Sequence, residues 1–254
     1  MSNSLLIGLS RQVALGRELD VVANNIANMN TTGFKADGSI FEEYLSPTAR
    51  TGASTDNKIS FVRDRGTWHD MTQGPTEHTG NPLDVAIDGK GFLVVQTPRG
   101  ERYTRNGSLR VGPTGNLMTT DGSQVVGDSG PITLQPTDRQ ISISPDGTIS
   151  VRAGTSIIDT VRGKLRLVSF DDAQRMQLQK DGAGTFAAPA NVTPQAETGS
   201  RIVQGAVEKS NVRGVVEITR MIEISRSYSQ VAAMLQQQSE MRTSAIGRLA
   251  DVPA

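Results

Sequence analysis

An apolar stripe at helical spacing runs through residues 4–29. Its positions follow steps of three and four residues, which is the spacing of one face of an α-helix. Gln12 and Gly16 interrupt the stripe. The pattern predicts a helix over residues 4–29, about 39 Å long at 1.5 Å per residue. The stripe consists of Leu5, Leu9, Leu19, Ala23 and Ile26, and Leu15, Val22 and Met29 widen one edge of it.

A second stripe lies at the opposite end of the chain. Residues 211–249 contain no proline, and their glycines, Gly214 and Gly247, lie near the two ends of the segment. This composition favours one long helix, for which Ser210 or Asn211 is the predicted N-cap. The stripe, which Met221 extends upstream, consists of Ile224, Tyr228, Val231, Leu235, Gln238, Arg242, Ala245 and Leu249.

Charged residues on the C-terminal helix are spaced to pair with one another. Arg213, Glu217 and Arg220 follow i,i+4 and i,i+3 steps, and Glu223 and Arg226 form a similar pair. Exposed pairs of this kind contribute roughly 0.2–0.5 kcal/mol each. A solvated helix face and specific contacts with a partner are both consistent with this pattern.

The first helix ends in a polar stretch, VVANNIANMNTTGFK, at residues 21–35. Asparagine and threonine are unfavourable inside helices because their side chains compete for backbone hydrogen bonds. Gly33 is the predicted left-handed residue after the helix end. The asparagines have two possible roles, which are local capping of the helix end and hydrogen bonds to neighbouring chains.

Short strands with turn signals fill the middle of the chain. Asn-Gly and Asp-Gly pairs are typical of hairpins. Residues 81–185 are therefore predicted to form an antiparallel β domain, in which 161–170 is one later strand. The predicted turns lie at Asp88-Gly89, Pro98-Arg99-Gly100, Asn106-Gly107, Gly112–Asn116, Asp121-Gly122 and Pro145-Asp146-Gly147.

These segments predict an α+β protein with a mainly antiparallel β domain inserted between two terminal helices. The predicted boundaries are 1–33 for the N-terminal helix and 210–254 for the C-terminal helix. Residues 34–80 and 186–209 are predicted to be extended linkers that form a neck. A two-helix hairpin would cover only part of each apolar stripe, so the sequence predicts that the helices also meet other copies or other proteins.

Composition excludes several classes of function. The chain has 26 basic and 26 acidic residues, so it shows no basic footprint for nucleic acid. It has no cysteine, which excludes disulfides and thiolate metal sites. The N-terminus shows no cleavable signal, and no apolar span is long enough for a membrane helix. His69, Asp70, Glu77 and His78 match no metal-ligand spacing, so no catalytic, metal or cofactor site is predicted.

Three stretches resemble the rod, hook and hook-associated axial proteins of the bacterial flagellum. VVANNIANMNTTGFK is similar to their N-terminal signature. Residues 79–122, from TGNPLDVAIDGKGF to LMTTDG, resemble the central block of the rod and hook proteins. Residues 207–230, VEKSNVRGVVEITRMIEISRSYSQ, are similar to their C-terminal block. The two ends look most like proximal rod subunits, with distal rod subunits as the alternative and a β-rich surface adhesin as a more distant one.

The resemblance implies a structural subunit and not an enzyme. Family members leave the cytoplasm through the flagellar type III export apparatus and assemble in the periplasm with other rod proteins and copies of themselves. Their terminal helices form an inner coiled-coil layer around the export channel, and the rod transmits torque. No nucleic acid and no membrane insertion are expected. The predicted subunit-interface residues are Leu5, Leu9, Leu19, Asn24, Asn25, Ile26, Asn28, Thr32, Gly33, Phe34, Asn211, Val212, Ile222, Tyr228, Val231 and Leu235.

Overall fold

The computed structural model describes residues 3–46, 59–154, 158–182 and 184–250. The chain forms two units. The helix unit contains the two long helices and one strand ribbon. The β unit contains residues 28–36 and 70–212. This arrangement confirms an α+β protein with helices at both ends and a mostly antiparallel middle.

The helix unit is built on α1 (Asn3–Ala27) and α3 (Gly214–Ala250). Val22 and Ala14 are buried on α1, and Ile224 and Val231 are buried on α3. Gly8 allows close approach, because a Cβ at this position would lie 2.6 Å from Leu235 Cδ2. The buried face of α1 therefore lies on the side that Val22 occupies. It is not centred on the stripe predicted from Leu9 and Ala23, both of which are exposed.

Polar contacts also join the two helices. Gln12 donates a hydrogen bond to the Tyr228 hydroxyl at 3.2 Å. Arg220 donates to Glu18 Oε1 at 2.7 Å through one guanidinium nitrogen and at 3.1 Å through another. Arg220 therefore pairs with the neighbouring helix of its own chain, which is neither of the two roles that the sequence left open for the charged face of α3.

A two-stranded antiparallel ribbon completes the helix unit. Its strands are β1 (Asp37–Ser46) and β2 (Ile59–His69), with a register shift between Ile40 and Phe41. Gly38 lies opposite Trp68, and a Cβ on this glycine would lie 2.2 Å from Trp68 Nε1. The indole ring thus covers a position that has no room for a side chain. This ribbon occupies much of the range that the sequence assigned to an extended linker.

The β unit contains seventeen of the strands described here and one short helix, α2 (Asp172–Arg175). The strands are β3 (Thr76–His78), β4 (Val85–Asp88), β5 (Phe92–Thr97), β6 (Gly100–Thr104), β7 (Leu109–Val111), β8 (Leu117–Thr119), β9 (Gln124–Gly127), β10 (Gly130–Pro131), β11 (Asp138–Ile143), β12 (Thr148–Ala153), β13 (Asp159–Lys164), β14 (Leu167–Ser169), β15 (Gln179–Lys180), β16 (Thr185–Ala187), β17 (Gln195–Ala196), β18 (Arg201–Gln204) and β19 (Ala206–Glu208).

Antiparallel pairs connect these strands into four sheets. The largest follows the order β15-β16-β6-β5-β9-β8-β7, with β10 beside β9, β14 beside β5 and β17 beside β14. A second sheet has the order β11-β12-β13. Two smaller sheets pair β18 with β4 and β19 with β3. Strands β18 and β19 lie in residues 186–209, the range predicted as a return linker, so this segment contributes paired strands to the β unit.

Two apolar clusters form the core of the β unit. Phe92, Phe170 and Phe186 meet in edge-to-face contacts with ring centroids 5.8 and 6.1 Å apart, and Tyr103 contacts Phe170. The other members of this cluster are Val94, Val168, Leu178 and Val192. The larger cluster contains Val85, Ile87, Leu93, Val95, Leu109, Leu117, Val125, Ile132, Leu134, Ile143, Ile149, Val151, Leu165, Leu167 and Ile202.

Four of the predicted turns connect neighbouring strands. Pro98-Arg99 joins β5 to β6, Gly112–Asn116 joins β7 to β8, Asp121-Gly122 joins β8 to β9, and Asp146-Gly147 joins β11 to β12. The glycines of the last two turns have positive φ angles of 92° and 88°. These turns are confirmed by the strand pairing.

Two hairpin predictions were wrong. β4 pairs with β18 and not with β5, so Asp88-Gly89 does not close a hairpin. β6 and β7 are not neighbours in the sheet, so Asn106-Gly107 does not close one either. A Cβ on Gly107 would lie 1.8 Å from the Val85 carbonyl oxygen. Glycine is required there because another backbone passes close by, and this need looks the same in sequence as a hairpin signal.

Candidate functional site

Three distant parts of the sequence converge in the β unit on one buried carboxylate, that of Glu208 in β19. Lys35 Nζ lies 2.5 Å from Glu208 Oε1, and an Arg105 guanidinium nitrogen lies 3.3 Å from Glu208 Oε2. The Lys35 and Glu208 side chains are 0% exposed and that of Arg105 is 2% exposed. We call Lys35, Arg105 and Glu208 the buried interlock. Each belongs to a different one of the three blocks singled out in the sequence.

Hydrogen bonds and a ring contact hold the buried cations in place. Lys35 Nζ donates to the Thr72 carbonyl at 2.6 Å. Arg105 donates to the Gly89 carbonyl at 2.6 Å, and its guanidinium carbon lies 5.0 Å from the centre of the Phe92 ring. Burial lowers the pKa of Lys35 and of Arg105, and the charge of Glu208 opposes both shifts. The negative charge of Glu208 therefore stabilises the two cations, Lys35 and Arg105, that are buried away from water.

Backbone hydrogen bonds surround the interlock. The Gly33 amide donates to the Glu208 carbonyl at 2.7 Å, and the Asp70 amide donates to the Ala36 carbonyl at 2.8 Å. The Gly74 amide donates to Glu208 Oε1 at 3.0 Å. The segment 33–36 thus has partners in both residues 70–75 and residues 208–211. These partners satisfy polar groups that would be costly to bury unpaired.

Asn211 acts as a clamp on the backbone of the β unit. Its side-chain oxygen accepts a hydrogen bond from the Ala36 amide at 2.7 Å. Its side-chain nitrogen donates to the Asp70 carbonyl at 2.8 Å and to the Thr72 carbonyl at 3.1 Å. The N-cap prediction for Ser210 or Asn211 was wrong, because α3 begins at Gly214 and the amides of residues 216 and 217 donate to the Arg213 carbonyl. The side-chain amide of Asn211 instead hydrogen-bonds the backbone of Ala36, Asp70 and Thr72.

Glycines permit the close packing around the interlock. Gly33 has a φ angle of +70°, which confirms its predicted left-handed conformation, although α1 ends earlier, at Ala27. A Cβ on Gly33 would lie 2.4 Å from the Arg105 carbonyl carbon. A Cβ on Gly74 would lie 2.0 Å from the Lys209 carbonyl oxygen. No side chain fits at either position without moving the backbone that passes it.

Asn25 has a similar clamping role in the helix unit. Its side-chain oxygen accepts from the Asp37 amide and its nitrogen donates to the Asp37 carbonyl, both at 2.8 Å. The nitrogen also lies 3.4 Å from Glu217 Oε2. Asn25 is 1% exposed. The asparagine therefore fixes the start of β1 on α1, which is a contact within the chain that differs from the predicted capping of the helix end; hydrogen bonds of Asn25 to a neighbouring chain stay a prediction.

The helix unit exposes apolar side chains on both long helices. Val13 on α1 is 58% exposed and Val215 on α3 is 81% exposed. Val215, Ile218 and Ile222 follow steps of three and four residues, and Ile222 lies about 200° around the helix from the buried Ile224. We call the exposed apolar stripes of the two helices, namely Leu9 and Val13 on α1 and Val215, Ile218 and Ile222 on α3, the exposed helix face. Apolar area of this kind on a protein surface indicates an interaction site.

An open groove lies within the helix unit beside this face. It has a volume of about 500 Å³, and its apolar lining includes Leu19, Ala23, Met221 and Ile222. Asp20 and Arg226 lie at the same groove. An apolar floor with charged residues beside it suits a helix of another protein chain better than a small metabolite.

The predicted interface residues fall into three groups by their exposure. Four of them are buried in their own chain, namely Asn25, Gly33, Phe34 and Val231. Their role in a subunit interface stays a prediction, and these residues expose little surface to a partner. Leu9, Asn24 and Ile222 are exposed. The remaining members are half-buried, namely Leu5, Leu19, Ile26, Asn28, Thr32, Asn211, Val212, Tyr228 and Leu235.

Sequence reasoning missed the central role of the charged residues. Lys35 belongs to the N-terminal signature, whereas no pattern in the sequence distinguishes Arg105 and Glu208 from the other charged residues of their blocks. The sequence signal was a charged residue close to glycine or asparagine in each of the three blocks. Such neighbours leave room for a backbone to approach a buried charge, as Gly33 and Gly107 do here.

The histidines do not form a catalytic cluster with their acidic neighbours. His69 Nδ1 lies 2.7 Å from Asp37 Oδ1 at the end of the ribbon, and His78 is exposed on β3. Glu77 pairs with Lys209 at 3.2 Å. Within the described part of the chain, no group of three His, Asp or Glu side chains could hold a metal ion. Searching the same residues also finds no helix with the length and apolar character needed to span a membrane.

Comparison with known protein families agrees with these three blocks. Residues 5–35 match the model of the flagella basal body rod protein family. Residues 86–151 match the flagellar hook protein FlgE/F/G D1 domain, and residues 203–248 match the C-terminal region of the flagellar basal body rod FlgEFG proteins.

Full-length relatives extend the match to nearly the whole chain. The flagellar basal-body rod protein FlgF of Caulobacter vibrioides is 41% identical over 99% of this chain and 100% of its own length. FlgF of Mesorhizobium japonicum is 34% identical over 98% of both chains. The rod protein FlgG of Bacillus subtilis is 32% identical over 90% of this chain and 92% of its own, which favours FlgF over FlgG as the nearer type. The chain therefore belongs to the flagellar basal-body rod protein family and is a structural subunit of the rod.

Proposed function

We propose that this subunit assembles into the proximal part of the flagellar rod through its helix unit. In this proposal α1 and α3 form part of an inner coiled-coil layer around the export channel, and the β unit lies outside it. The partners are other copies of the chain and other rod proteins. The assembled rod transmits torque and encloses the path of exported proteins.

The observation that carries this proposal is the exposed helix face. Leu9 and Val13 lie on α1, and Val215, Ile218 and Ile222 lie on α3, all more than a third exposed. Burial of apolar area stabilises an association by roughly 25 cal/mol per Å², less the cost of ordering. A subunit that binds its neighbours through different patches produces a helical polymer when the rotation does not close. A rod is such a polymer.

The export route and the cellular location of this subunit are inferred from its family and belong to the same proposal. We expect export through the flagellar type III apparatus and assembly in the periplasm, without membrane insertion or nucleic-acid binding. We also expect the ends of the terminal helices to be frayed before assembly, since much of their apolar surface has no cover in the single subunit, whereas the part packed around Val22 and Ile224 is folded.

Charged substitutions on the exposed helix face test the assembly role. Val13→Asp and Ile222→Asp add a charge where the single chain leaves Val13 58% and Ile222 49% exposed, so the fold should lose less than about 0.5 kcal/mol. In a subunit interface the same carboxylates would be desolvated. We expect loss of swimming motility and absence of the distal rod and hook from isolated basal bodies. Normal motility with both variants would refute the proposal.

Val161→Asp provides the matched control. Val161 is 63% exposed on β13, an edge strand of the β unit. The substitution is the same in chemistry and in exposure, but it lies outside the helix unit. We expect it to leave rod assembly largely intact.

Complementation separates a proximal from a distal position in the rod. The gene should restore motility to cells that lack their FlgF-type gene and not to cells that lack their FlgG-type gene. Rescue of the second strain alone would assign the chain to the distal rod.

A further inference from the structure

The buried interlock has an uneven charge balance. Lys35 and Arg105 carry two positive charges and Glu208 carries one negative charge, and all three side chains are almost completely buried. Among the described side chains, the Glu208 carboxylate hydrogen-bonds both cations, one with each oxygen. Asp70, Glu197 and Arg175 act on these cations at longer range. The three groups enter from segments that are far apart in sequence, so the order in which the segments dock changes the balance.

Docking of the C-terminal segment first is electrostatically allowed. When β19 pairs with β3, Glu208 reaches Arg105 and the two charges cancel. Lys35 can remain in water at this stage. The cost of burying one ion is then offset by the opposite charge at hydrogen-bonding distance.

Docking of the N-terminal segment first is electrostatically unfavourable. Residues 33–36 would then bring Lys35 beside Arg105 without the Glu208 carboxylate between them, and two like charges at close range repel each other. Two backbone amides would also lose their acceptors. The Gly33 amide donates to the Glu208 carbonyl, and the Ala36 amide donates to the Asn211 side chain.

We propose that the buried interlock fixes the order in which two segments of the β unit, residues 206–211 and residues 33–36, dock on the rest of that unit. Residues 206–211 dock first and form the binding site for Lys35. Residues 33–36 dock second, so the segment that leads out of α1 stays undocked until the C-terminal block is in place. This inference concerns the folding of the single chain and does not depend on the proposed position in the rod.

Hydrogen exchange on the full chain tests this order. In refolding from denaturant with pulse labelling, we expect the amides of Val207 and Lys209, which face β3, to become protected before those of Gly33 and Ala36. Protection of Gly33 and Ala36 first, or of both segments in a single step, would overturn the proposal.

A pair of variants separates the charge effect from general destabilisation. Glu208→Gln keeps the shape of the side chain but removes the negative charge. We expect the equilibrium protection of the Gly33 and Ala36 amides to fall by at least roughly 150-fold, as for breaking a buried ion pair. Lys35→Met in the Glu208→Gln background removes one of the two uncompensated cations. It should recover roughly tenfold of that protection, although the Thr72 carbonyl loses its donor.

The amides of β5 serve as the internal reference. Val94 and Val95 are fully buried in the β unit and report its global stability. The comparison is the protection of residues 33–36 divided by that of these valines. An unchanged ratio in Glu208→Gln, or no recovery of the ratio in the double variant, would show that the interlock does not control docking.

Discussion

Replacement of Asn25 should release the start of β1 from α1. Asn25 is 1% exposed and satisfies both the amide and the carbonyl of Asp37, each at 2.8 Å. Asn25→Ala leaves these two backbone groups without their partner in a site that water reaches poorly. Each buried polar group left unpaired costs about 1–3 kcal/mol. The expected loss is therefore about 3 kcal/mol of stability for the helix unit, with a range of about 2–6 kcal/mol.

This loss can be measured at the affected bond. A change of about 3 kcal/mol corresponds to roughly a 150-fold rise in the opening equilibrium constant, and therefore to an equal drop in protection. Hydrogen exchange by NMR should show that drop at the Asp37 amide. Unfolding by urea, followed by circular dichroism of the helices, should show a lower midpoint. Amides of β5 in the β unit should keep their protection, because Asn25 bonds only within the helix unit among the contacts described here.

Asn30→Ala is the matched control for this prediction. Asn30 is the same residue type, lies five residues further along the chain, and is exposed. We expect its effect to stay below about 0.5 kcal/mol, as for most surface substitutions. Equal effects of the two variants would refute the clamp. So would an Asn25→Ala variant with normal Asp37 protection that fails only in rod assembly, since that result would assign Asn25 to a contact with another subunit.

Three further substitutions test the packing and the charges. Gly33→Ala should destabilise the β unit by more than about 2 kcal/mol, because it adds a clash to the cost of a positive φ, whereas Gly80→Ala (φ +72°, open space) should show only about 1 kcal/mol of strain in urea unfolding. Gly16→Ala should raise the thermal stability of the helix unit by up to about 1 kcal/mol, since nothing lies within 4 Å of the added methyl group. Hydrogen bonds from Arg162 lower the pKa of Asp138, so this carboxylate stabilises the fold above the ordinary aspartate pKa, and that contribution is lost as the pH falls below about 4. Asp138→Asn should flatten the dependence of unfolding free energy on pH in that range.

The helices could be predicted from the sequence because periodicity records which side of a helix is apolar. Both predicted helices lie within a few residues of α1 and α3. The buried side of α1 could not be predicted, because Leu9 and Val22 are equally apolar and the stripe was wide enough to include both. Gly8 decides the matter, since its missing side chain lets Leu235 approach. That choice depends on a contact between residues far apart in sequence.

Hairpins were predictable only where a turn signal lay between strands that pair. Asp121-Gly122 and Asn106-Gly107 look equivalent in the sequence, yet only the first joins neighbouring strands. Gly107 is instead a point where Val85 passes close to the chain. A glycine that gives conformational freedom and a glycine that gives space cannot be distinguished by residue type.

The motif residues and the exposed apolar residues have separate roles. Asn25, Gly33 and Asn211, which match the family pattern, satisfy or admit backbone groups of their own chain. Val13 and Ile218 lie outside these contacts and leave apolar surface uncovered. Substitutions in the first set should therefore reduce rod incorporation in proportion to the loss of folded protein. Substitutions in the second set should reduce incorporation while the folded fraction stays constant. A plot of incorporation against folded fraction would place the two sets on different lines, and a single line through both would show that the roles are not separate.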